Sequence, residues 1–360
     1  MRGEVRGQSS FSLVQPAQRV PPGHPIRRIK DLADAQLKEL SPVFDAMYSG
    51  TGRPGIPPEV LLKACLLIAL YSVRSERQFC ERLEYDLLFR FFLDMSLDEP
   101  SFDASSFAKN KQRLLDADVA RRFFEGVVGQ AKGQGLMSAE HFTVDGTLIE
   151  AWAGVKSFKK KGSKDEGPPD DKGNPTVNFH GEKRGNATHE STTDPESRLA
   201  RKGGNGAKLS YSASVLMENR TGLVADITVE VATGEAEWVG ALRMLDRQKE
   251  KGLVPTTLGA DAGYDVQRFV DATRERGVTP HVAQTRDVRR ASRVDGRTTR
   301  HGGYALSQRA RKRVEEIFGW MKTVGGFRKT RYRGQARTGL WAYFVAAAYN
   351  LTRMARLMPA

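Results

Sequence analysis

Cysteine is scarce in this chain of 360 residues, which contains only Cys65 and Cys80. Two cysteines, both in apolar stretches with helical periodicity, exclude a disulfide framework and a zinc site built from several thiolates. We therefore expect both to be reduced packing residues in a cytosolic protein.

The sequence also lacks long apolar runs. The longest, LLKACLLIALYS from Leu61, is too short to span a bilayer and contains Lys63, so it predicts a buried helix. The first residues, MRGEVRGQSSFSLVQPAQRVPPGHP, have no sustained apolar region of the kind found in signal peptides. These absences predict a cytoplasmic protein that makes no contact with a membrane.

Positive charge, in contrast, is present in excess. The net charge is +14, and the segment 286–337 contains sixteen Lys or Arg but only four Asp or Glu. Neutralising a phosphate backbone releases counterions, and the affinity rises with the number of contacts, so nucleic acid is the expected partner. A basic face that only maintains solubility is the alternative.

Hydrophobic periodicity divides the chain into three regions. Residues 1–50 begin with a segment rich in Pro, Gly and Arg and are predicted to be a flexible arm and lead-in. Residues 51–136 alternate helical periodicity with short polar breaks, which predicts an all-helical domain of about five helices. From residue 137 to residue 360 the period changes to that of strands and crossover helices, which predicts an α/β domain.

The strands of the α/β domain are predicted in HFTVDGTLIEAW, in KLSYSASVLMENRTGLVADITVEVATG, which contains two, and in TTLGAD and VTPHVAQ. The second and third strands form a hairpin around the turn from Asn219 to Gly222, and a helix follows each strand from the third onward. This order predicts a mixed five-stranded sheet with flanking helices, in which the first and fourth strands are neighbours.

A long polar segment, residues 154–206, separates the first two strands and is rich in Gly and Pro. It cannot bury enough apolar surface to fold alone, so we expect a disordered insertion or one that orders on a ligand. His180 and His189 lie in this segment without cysteines or a periodic element to carry them, so they predict no metal site.

Two aspartates lie where strands expose their side chains: Asp145 in the first strand and Asp261 after the fourth. If these strands are neighbours, the two carboxylates lie side by side, and the last basic helix places Glu315 over them. Three convergent carboxylates repel one another and require a cation, for which Mg²⁺ is the natural choice. Each aspartate taken alone is equally well explained as a turn or cap residue.

The stretch RARKRVEEIFGWMK contains two adjacent glutamates in a basic run. In a helix, Val314, Ile317, Phe318 and Met321 form one apolar stripe, Glu315 lies at its edge and Glu316 points to solvent. Arg311 and Lys322 share the edge of Glu315. The alternative is an amphipathic helix with a surface ion pair, which is worth about 0.2–0.5 kcal/mol.

The segments VDGTLIEAW, ADAGYD and VEEIFGWMK resemble the three acidic motifs of bacterial insertion-sequence transposases of the DDE class, specifically the insertion sequence 5 family. That family has the pattern Y-x2-R-x3-E-x6-K, which Arg311, Glu315 and Lys322 match, whereas Gln308 replaces the tyrosine. The resemblance extends from about Arg53 to the terminal AYNLTRMARL. It implies a ribonuclease H-like catalytic domain preceded by a helical DNA-binding domain.

The resemblance also implies roles for individual residues. Asp145, Asp261 and Glu315 would be catalytic and would bind two Mg²⁺ ions, for which Mn²⁺ would be able to substitute. Arg311 and Lys322 would hold phosphates of double-stranded DNA. Further predicted DNA contacts are Arg313, Arg328, Lys329, Arg331 and Arg333.

The function implied is that of a DNA transposase, a polynucleotidyl transferase and endonuclease. It would cleave at the inverted-repeat ends of an insertion sequence and join them to target DNA by metal-dependent transesterification. We expect a homodimer on DNA in the bacterial cytoplasm, associated with the nucleoid, and no nucleotide cofactor. A structure-specific ribonuclease H-like nuclease and a catalytically silent DNA-binding repressor are the alternatives.

Overall fold

The computed structural model describes most of the chain, namely residues 14–47, 55–116, 118–162, 184–203, 206–285 and 291–358. The α-helices of these residues are α1 Pro16–Arg19, α2 Pro25–Glu39, α3 Ser41–Met47, α4 Pro58–Leu70, α5 Glu76–Tyr85, α6 Leu87–Leu93, α7 Ala104–Asp116, α8 Val119–Gly133, α9 Ala236–Glu250, α10 Gln267–Glu275, α11 Gly296–Thr299, α12 Gly302–Ala310, α13 Val314–Lys322 and α14 Gln335–Leu357. The strands are β1 His141–Glu150, β2 Phe158–Lys160, β3 His189–Ser191, β4 Arg198–Ala200, β5 Lys208–Glu218, β6 Val224–Val231, β7 Thr257–Ala260 and β8 Thr279–Val282. Within the described ranges, no helix combines the length and apolarity that crossing a bilayer requires.

The main sheet is mixed and has β1 at its centre. β5 pairs antiparallel with both β1 and β6, whereas β1 pairs in parallel with β7 and β7 in parallel with β8. The order across the sheet is therefore β6-β5-β1-β7-β8, and β4 extends the β6 side by pairing with the start of β5. This order and these directions are those of the ribonuclease H-like fold, so the predicted fold class and the predicted contact between the first and fourth strands are confirmed.

Helices cover both faces of the sheet. In β6, Thr228 points to α9, since its methyl group lies beside Gly240, whereas Val229 points to α14 at Gly339. The neighbouring strand β5 lies between the same two layers of helices, so both of its faces are buried. Its buried side chains include the alternating residues Ser210, Ser212 and Ser214.

The helix α14 joins the sheet to the N-terminal helices. It packs on β6 and also on α2, α4 and α8, and most of its length is buried. The helical region and the sheet consequently share one continuous apolar core. The five helices α4 to α8 occupy the range in which about five were predicted.

The predicted flexible arm is wrong for residues 16–47. This segment forms α1 to α3, with Ile26, Ile29 and Leu37 buried in the core. Arg28 Nη1 also donates to the carbonyl oxygens of Ala355 and Met358, at 3.1 Å each. Apolar residues repeat with helical spacing from Pro25 onward, so the Pro- and Gly-rich composition of the preceding residues was a misleading guide. The rest of the predicted arm, residues 1–13 and 48–50, lies outside the described residues.

The prediction of disorder is also wrong for both ends of the insertion. β2 pairs with β3, and β4 joins the main sheet. Asp194 anchors this segment, because its Oδ1 accepts hydrogen bonds from Tyr211 Oη (2.7 Å) and from the Gly334 amide (3.2 Å). His189 is buried and stacks on Phe158, whereas His180 lies outside the described residues.

A buried ion pair between β6 and α9 provides a test of how the helix is attached to the sheet. Arg247 Nε and Nη2 each lie 2.9 Å from an oxygen of Asp226, which is 2% exposed. Asp226→Ala should lower the free energy of unfolding by about 3 kcal/mol, the low end for buried pairs because Arg247 is partly solvated. Chemical denaturation measures this change. Asp246 is also on α9, and its exposed side chain pairs with Arg276. Asp246→Asn should lower the free energy of unfolding by less than about 1 kcal/mol. Equal decreases in the free energy of unfolding for both variants would contradict the prediction.

Candidate active site

Asp145 and Asp261 lie side by side in the sheet. β1 and β7 are paired in parallel up to Thr143 and Gly259, and each aspartate follows two residues later along its strand direction. Asp261 caps the 3-10 helix Ala262–Tyr264 by accepting a hydrogen bond from the Gly263 amide at 2.8 Å. Asp145 accepts one from the Gly146 amide at 2.7 Å. The strand register therefore places Asp145 and Asp261 at neighbouring positions of the backbone.

The surroundings of Asp145 disfavour its negative charge. Burial, with smaller contributions from the charges of Asp261 and Glu237, raises the pKa of Asp145 to about 6, although Lys202 acts in the opposite direction. Burial penalises the ionised form of Asp145, and the nearby ammonium group of Lys202 does not fully offset that penalty. A cation bound next to Asp145 would offset the remainder.

Glu237 is a third acidic residue close to this pair, and sequence reasoning missed it. It lies in the first turn of α9 and packs so tightly on Gly146 that a Cβ there would be 2.8 Å from Glu237 Cδ. Lys202 Nζ donates to Glu237 Oε1 at 2.9 Å and to the Gly146 carbonyl oxygen, and it lies 4.0 Å from Asp145 Oδ1. No local pattern distinguishes Glu237 from an ordinary surface glutamate, because only the packing of α9 on β1 brings it here.

Glu315 occupies the predicted helix but is not in contact with the two aspartates. Val314, Ile317 and Met321 are buried on the face of α13 that packs on β1, and Glu315 and Glu316 are both exposed. Glu316 pairs with Arg353 at 3.1 Å. Across the part of the chain that the structure describes, no three His, Cys, Asp or Glu side chains are arranged to hold a metal ion. The structure therefore brings Asp145 and Asp261 together and leaves Glu315 outside ligand distance of them.

A basic groove lies next to the aspartates. Its volume is about 450 Å³, and four of the side chains that line it are cationic, namely Lys202, Lys208, Lys322 and Arg328. Lys322 Nζ donates to Thr147 Oγ1 at 2.5 Å, and burial together with the charges of Lys202 and Arg328 lowers the pKa of Lys322. Cations that repel one another in this way favour an anion between them. The predicted phosphate contacts Lys322 and Arg328 are both in this groove.

The other predicted DNA contacts differ in what they touch. Arg313 Nη1 donates to the carbonyl oxygens of Asn219 and Arg220, and Arg331 Nη2 donates to that of Val73. These two guanidinium groups hold segments of the protein together. Arg333 is exposed, and Arg311 Nε is buried without a hydrogen-bond partner among the described residues.

Lys329 and Trp152 form an exposed pair at the end of β1. Lys329 Nζ lies 5.4 Å from the centre of the Trp152 ring, which is 49% exposed. Exposed aromatic rings beside cations are platforms on which unpaired bases stack. The sequence signal for Trp152 was its position directly after the first strand, which sequence reasoning did not use.

Gln308, which replaces the tyrosine of the resembled pattern, has a structural contact. Its Nε2 donates to the carbonyl oxygen of His281, so it fastens α12 to β8. The residue thereby helps to position the helical segment that leads to Glu315.

Two family models match the chain. "Transposase domain (DUF772)" matches residues 14–113, and "Transposase DDE domain" matches residues 177–351, so that the two cover about three quarters of the sequence. Asp261 and Glu315 lie inside the second match, and Asp145 precedes it. The chain belongs to the insertion-sequence-type DDE transposases, which are polynucleotidyl transferases that bind DNA and use divalent metal ions.

Several solved structures are similar to the chain at low identity. A pre-cleavage Mos1 transpososome is 11% identical, with 86% of this chain and 81% of that chain covered and a TM-score of 0.20. A Mos1 mariner paired end complex with Mn is 12% identical (90% and 84% covered, TM-score 0.20), and one with Mg is 11% identical (89% and 86% covered, TM-score 0.20). At such TM-scores the alignments establish neither the fold nor the site of this chain. No curated protein matches the sequence significantly.

Proposed function

We propose that this transposase cleaves DNA at the inverted-repeat ends of its element and joins the freed 3′-hydroxyl to target DNA by transesterification. The observation that supports this reaction best is the pair of Asp145 and Asp261 beside a groove with four cationic side chains. Carboxylates provide a place for divalent cations, and the groove provides a place for the phosphates next to the scissile bond. No high-energy cofactor is required, because each phosphodiester formed replaces one that was broken.

The residues present fit a hard divalent cation such as Mg²⁺. Asp145 and Asp261 offer only oxygen ligands, and burial raises the pKa of Asp145, so a cation bound there would favour its ionised form. We propose that both aspartates hold Mg²⁺, with Glu315 as a further ligand when DNA brings α13 closer. Divalent ions held by these residues would supply Lewis-acid activation of the attacking hydroxyl and charge stabilisation of the leaving oxygen.

The reaction can be tested with duplexes that carry the DNA ends flanking the reading frame. Purified protein, a labelled end and Mg²⁺ should yield a cleaved 3′ end and, with target DNA added, a covalently joined product. Omission of the metal should prevent both. Cleavage without joining would instead indicate the structure-specific nuclease, and binding without cleavage would indicate the repressor.

The groove predicts a specific change in salt dependence. Each phosphate contact contributes about −0.9 to the slope of log K against log salt concentration. The double variant Lys322→Ala, Arg328→Ala should therefore reduce the magnitude of the slope by about 2 and weaken binding to all DNA sequences alike. Fluorescence anisotropy over a range of salt concentrations measures both quantities.

Lys249→Ala provides the matched control for the groove variant. Lys249 is exposed on α9, away from the groove, so its loss should leave the slope unchanged. A slope that is the same for the groove variant and for the parent protein would exclude the groove as a phosphate site.

A transposase must hold two element ends together, and we propose that a homodimer does so on DNA. Two protomers per pair of ends are expected from the mass of the isolated complex. Its place of action would be the bacterial cytoplasm, at the nucleoid. Membership of the insertion sequence 5 family in particular is proposed from the match of Arg311, Glu315 and Lys322 to that family's spacing.

A further inference from the structure

Glu237 is distant from Asp145 in the sequence, but it packs on Gly146, the residue that follows Asp145. Asp145, Asp261 and Glu237 all act electrostatically on the same buried group, the hydroxyl of Tyr264. Glu237 and Asp261 also both contribute to the raised pKa of Asp145. The contacts of Lys202 with Glu237 at 2.9 Å and with Asp145 at 4.0 Å show that these two carboxylates face a shared space, although no three acidic side chains of the described residues are already arranged to hold an ion.

Tyr264 is an independent sign that this space is built for a polar ligand. The side chain is 1% exposed and packs on Phe269, with ring centres 5.1 Å apart. Its hydroxyl approaches Ser214, but neither hydroxyl has a hydrogen-bond partner in acceptable geometry among the described residues. A buried hydroxyl without a partner is destabilising, because it has lost its hydrogen bonds to water. A ligand or its bound water beside the three carboxylates would satisfy it.

Lys202 already occupies the position of a cation at these carboxylates. Its ammonium group lies between Glu237 Oε1, at 2.9 Å, and Asp145 Oδ1, at 4.0 Å. The side chain is 46% exposed, so it is free to turn toward the neighbouring groove, which it also lines. A lysine that neutralises a carboxylate site and can leave it is a suitable competitor for a divalent ion.

We propose that Glu237 is a further ligand or positioning residue of the divalent-cation site, and that Lys202 fills this site until a divalent cation displaces it toward the DNA phosphates. This inference rests on the proposed function, because it assigns the cation to the same two aspartates. It extends that function by a third acidic residue, Glu237, which lies near Asp145 in the DNA-free protein. It also couples cation binding to the number of positive charges in the groove.

The inference makes opposite predictions for two substitutions. Glu237→Gln removes a ligand and should raise the Kd of the DNA-free full-length protein for Mn²⁺ about tenfold or more. Lys202→Gln removes the competing ammonium group and should lower that Kd about threefold or more. The electron paramagnetic resonance signal of free Mn²⁺ measures binding directly, without any reaction.

Glu235→Gln is the matched control, since Glu235 lies two residues from Glu237 and its side chain is 65% exposed. It should bind Mn²⁺ as the parent protein does. Glu237→Asp, which keeps the charge and shortens the side chain, should give a Kd between those of the parent protein and Glu237→Gln. Thermal unfolding of every variant shows whether the fold is retained.

The result that would overturn the inference is a Kd for Mn²⁺ that is equal in the parent protein, Glu237→Gln and Glu235→Gln. Asp261→Asn in the same titration separates this failure from that of the proposed function. If Asp261→Asn loses Mn²⁺ while Glu237→Gln keeps it, the aspartate site stands and Glu237 does not belong to it. If Asp261→Asn also binds normally, the proposed site itself is wrong.

Discussion

Asp261→Asn should abolish both DNA cleavage and strand transfer, with a loss of about 10³-fold or more in the rate of each. The substitution preserves the size of the side chain and the cap acceptor for the Gly263 amide, so the 3-10 helix that follows should remain. It removes a negative charge close to Asp145 on which the proposed cation binding depends. Losses of about 10²–10³-fold are typical when one electrostatic contribution to a transition state is removed, and a metal ligand contributes at least as much.

The loss should appear in both steps, because the same pair of carboxylates serves cleavage and joining. A gel assay with labelled duplex ends, and with pre-cleaved ends for the joining step alone, distinguishes them. Asp271→Asn serves as the control, since Asp271 is exposed on α10 and contacts only Gln267 in the described side-chain hydrogen bonds. Full activity of Asp261→Asn on either substrate would exclude the proposed reaction centre.

Glu315→Gln should reduce cleavage by about 10²–10³-fold, whereas Glu316→Gln should leave it nearly unchanged. The two residues are adjacent and equally isosteric with glutamine, but they differ in their contacts. Glu316 pairs with Arg353 at the surface, a contact worth at most about 1 kcal/mol of stability. Glu315 lies on the part of α13 that faces DNA in the proposed complex.

Comparison of Glu315→Gln with Glu237→Gln also decides which of these two glutamates is the third acidic residue of the site. Activity in Glu315→Gln together with inactivity in Glu237→Gln would mean that the ligand set is the one present without DNA. Inactivity in Glu315→Gln would mean that α13 moves toward Asp145 and Asp261 when DNA binds. Equal activity of the Glu315 and Glu316 variants would remove Glu315 from the site.

The sheet could be predicted from the sequence because its signals are local and agree with one another. GLVADITVEV and HFTVDGTLIEAW have the period and the β-branched content of strands, and the turn at 219–222 fixes the hairpin. The rules for crossover connections then leave few arrangements, and one of them puts Asp145 beside Asp261. The proximity of the two aspartates could therefore be predicted from the strand order alone.

Glu237 and Lys202 could not be predicted in the same way. Glu237 reaches the site only through the way α9 packs over Gly146, about ninety residues earlier in the chain. Lys202 lies in a segment whose composition predicts disorder, and its position depends on the anchoring of Asp194 to Tyr211. Contacts of this kind are properties of the tertiary structure, and no short window of sequence contains them.

The helix α14 comes after the other described helices and strands, yet it packs on α2, α4, α8 and β6. The helices translated first therefore leave the ribosome without the surface that buries their apolar faces. Their core closes only when residues up to Leu357 have emerged. We therefore expect the helical region to complete its folding only after α14 has been translated, and chains that stop before α14 should expose apolar faces that favour aggregation.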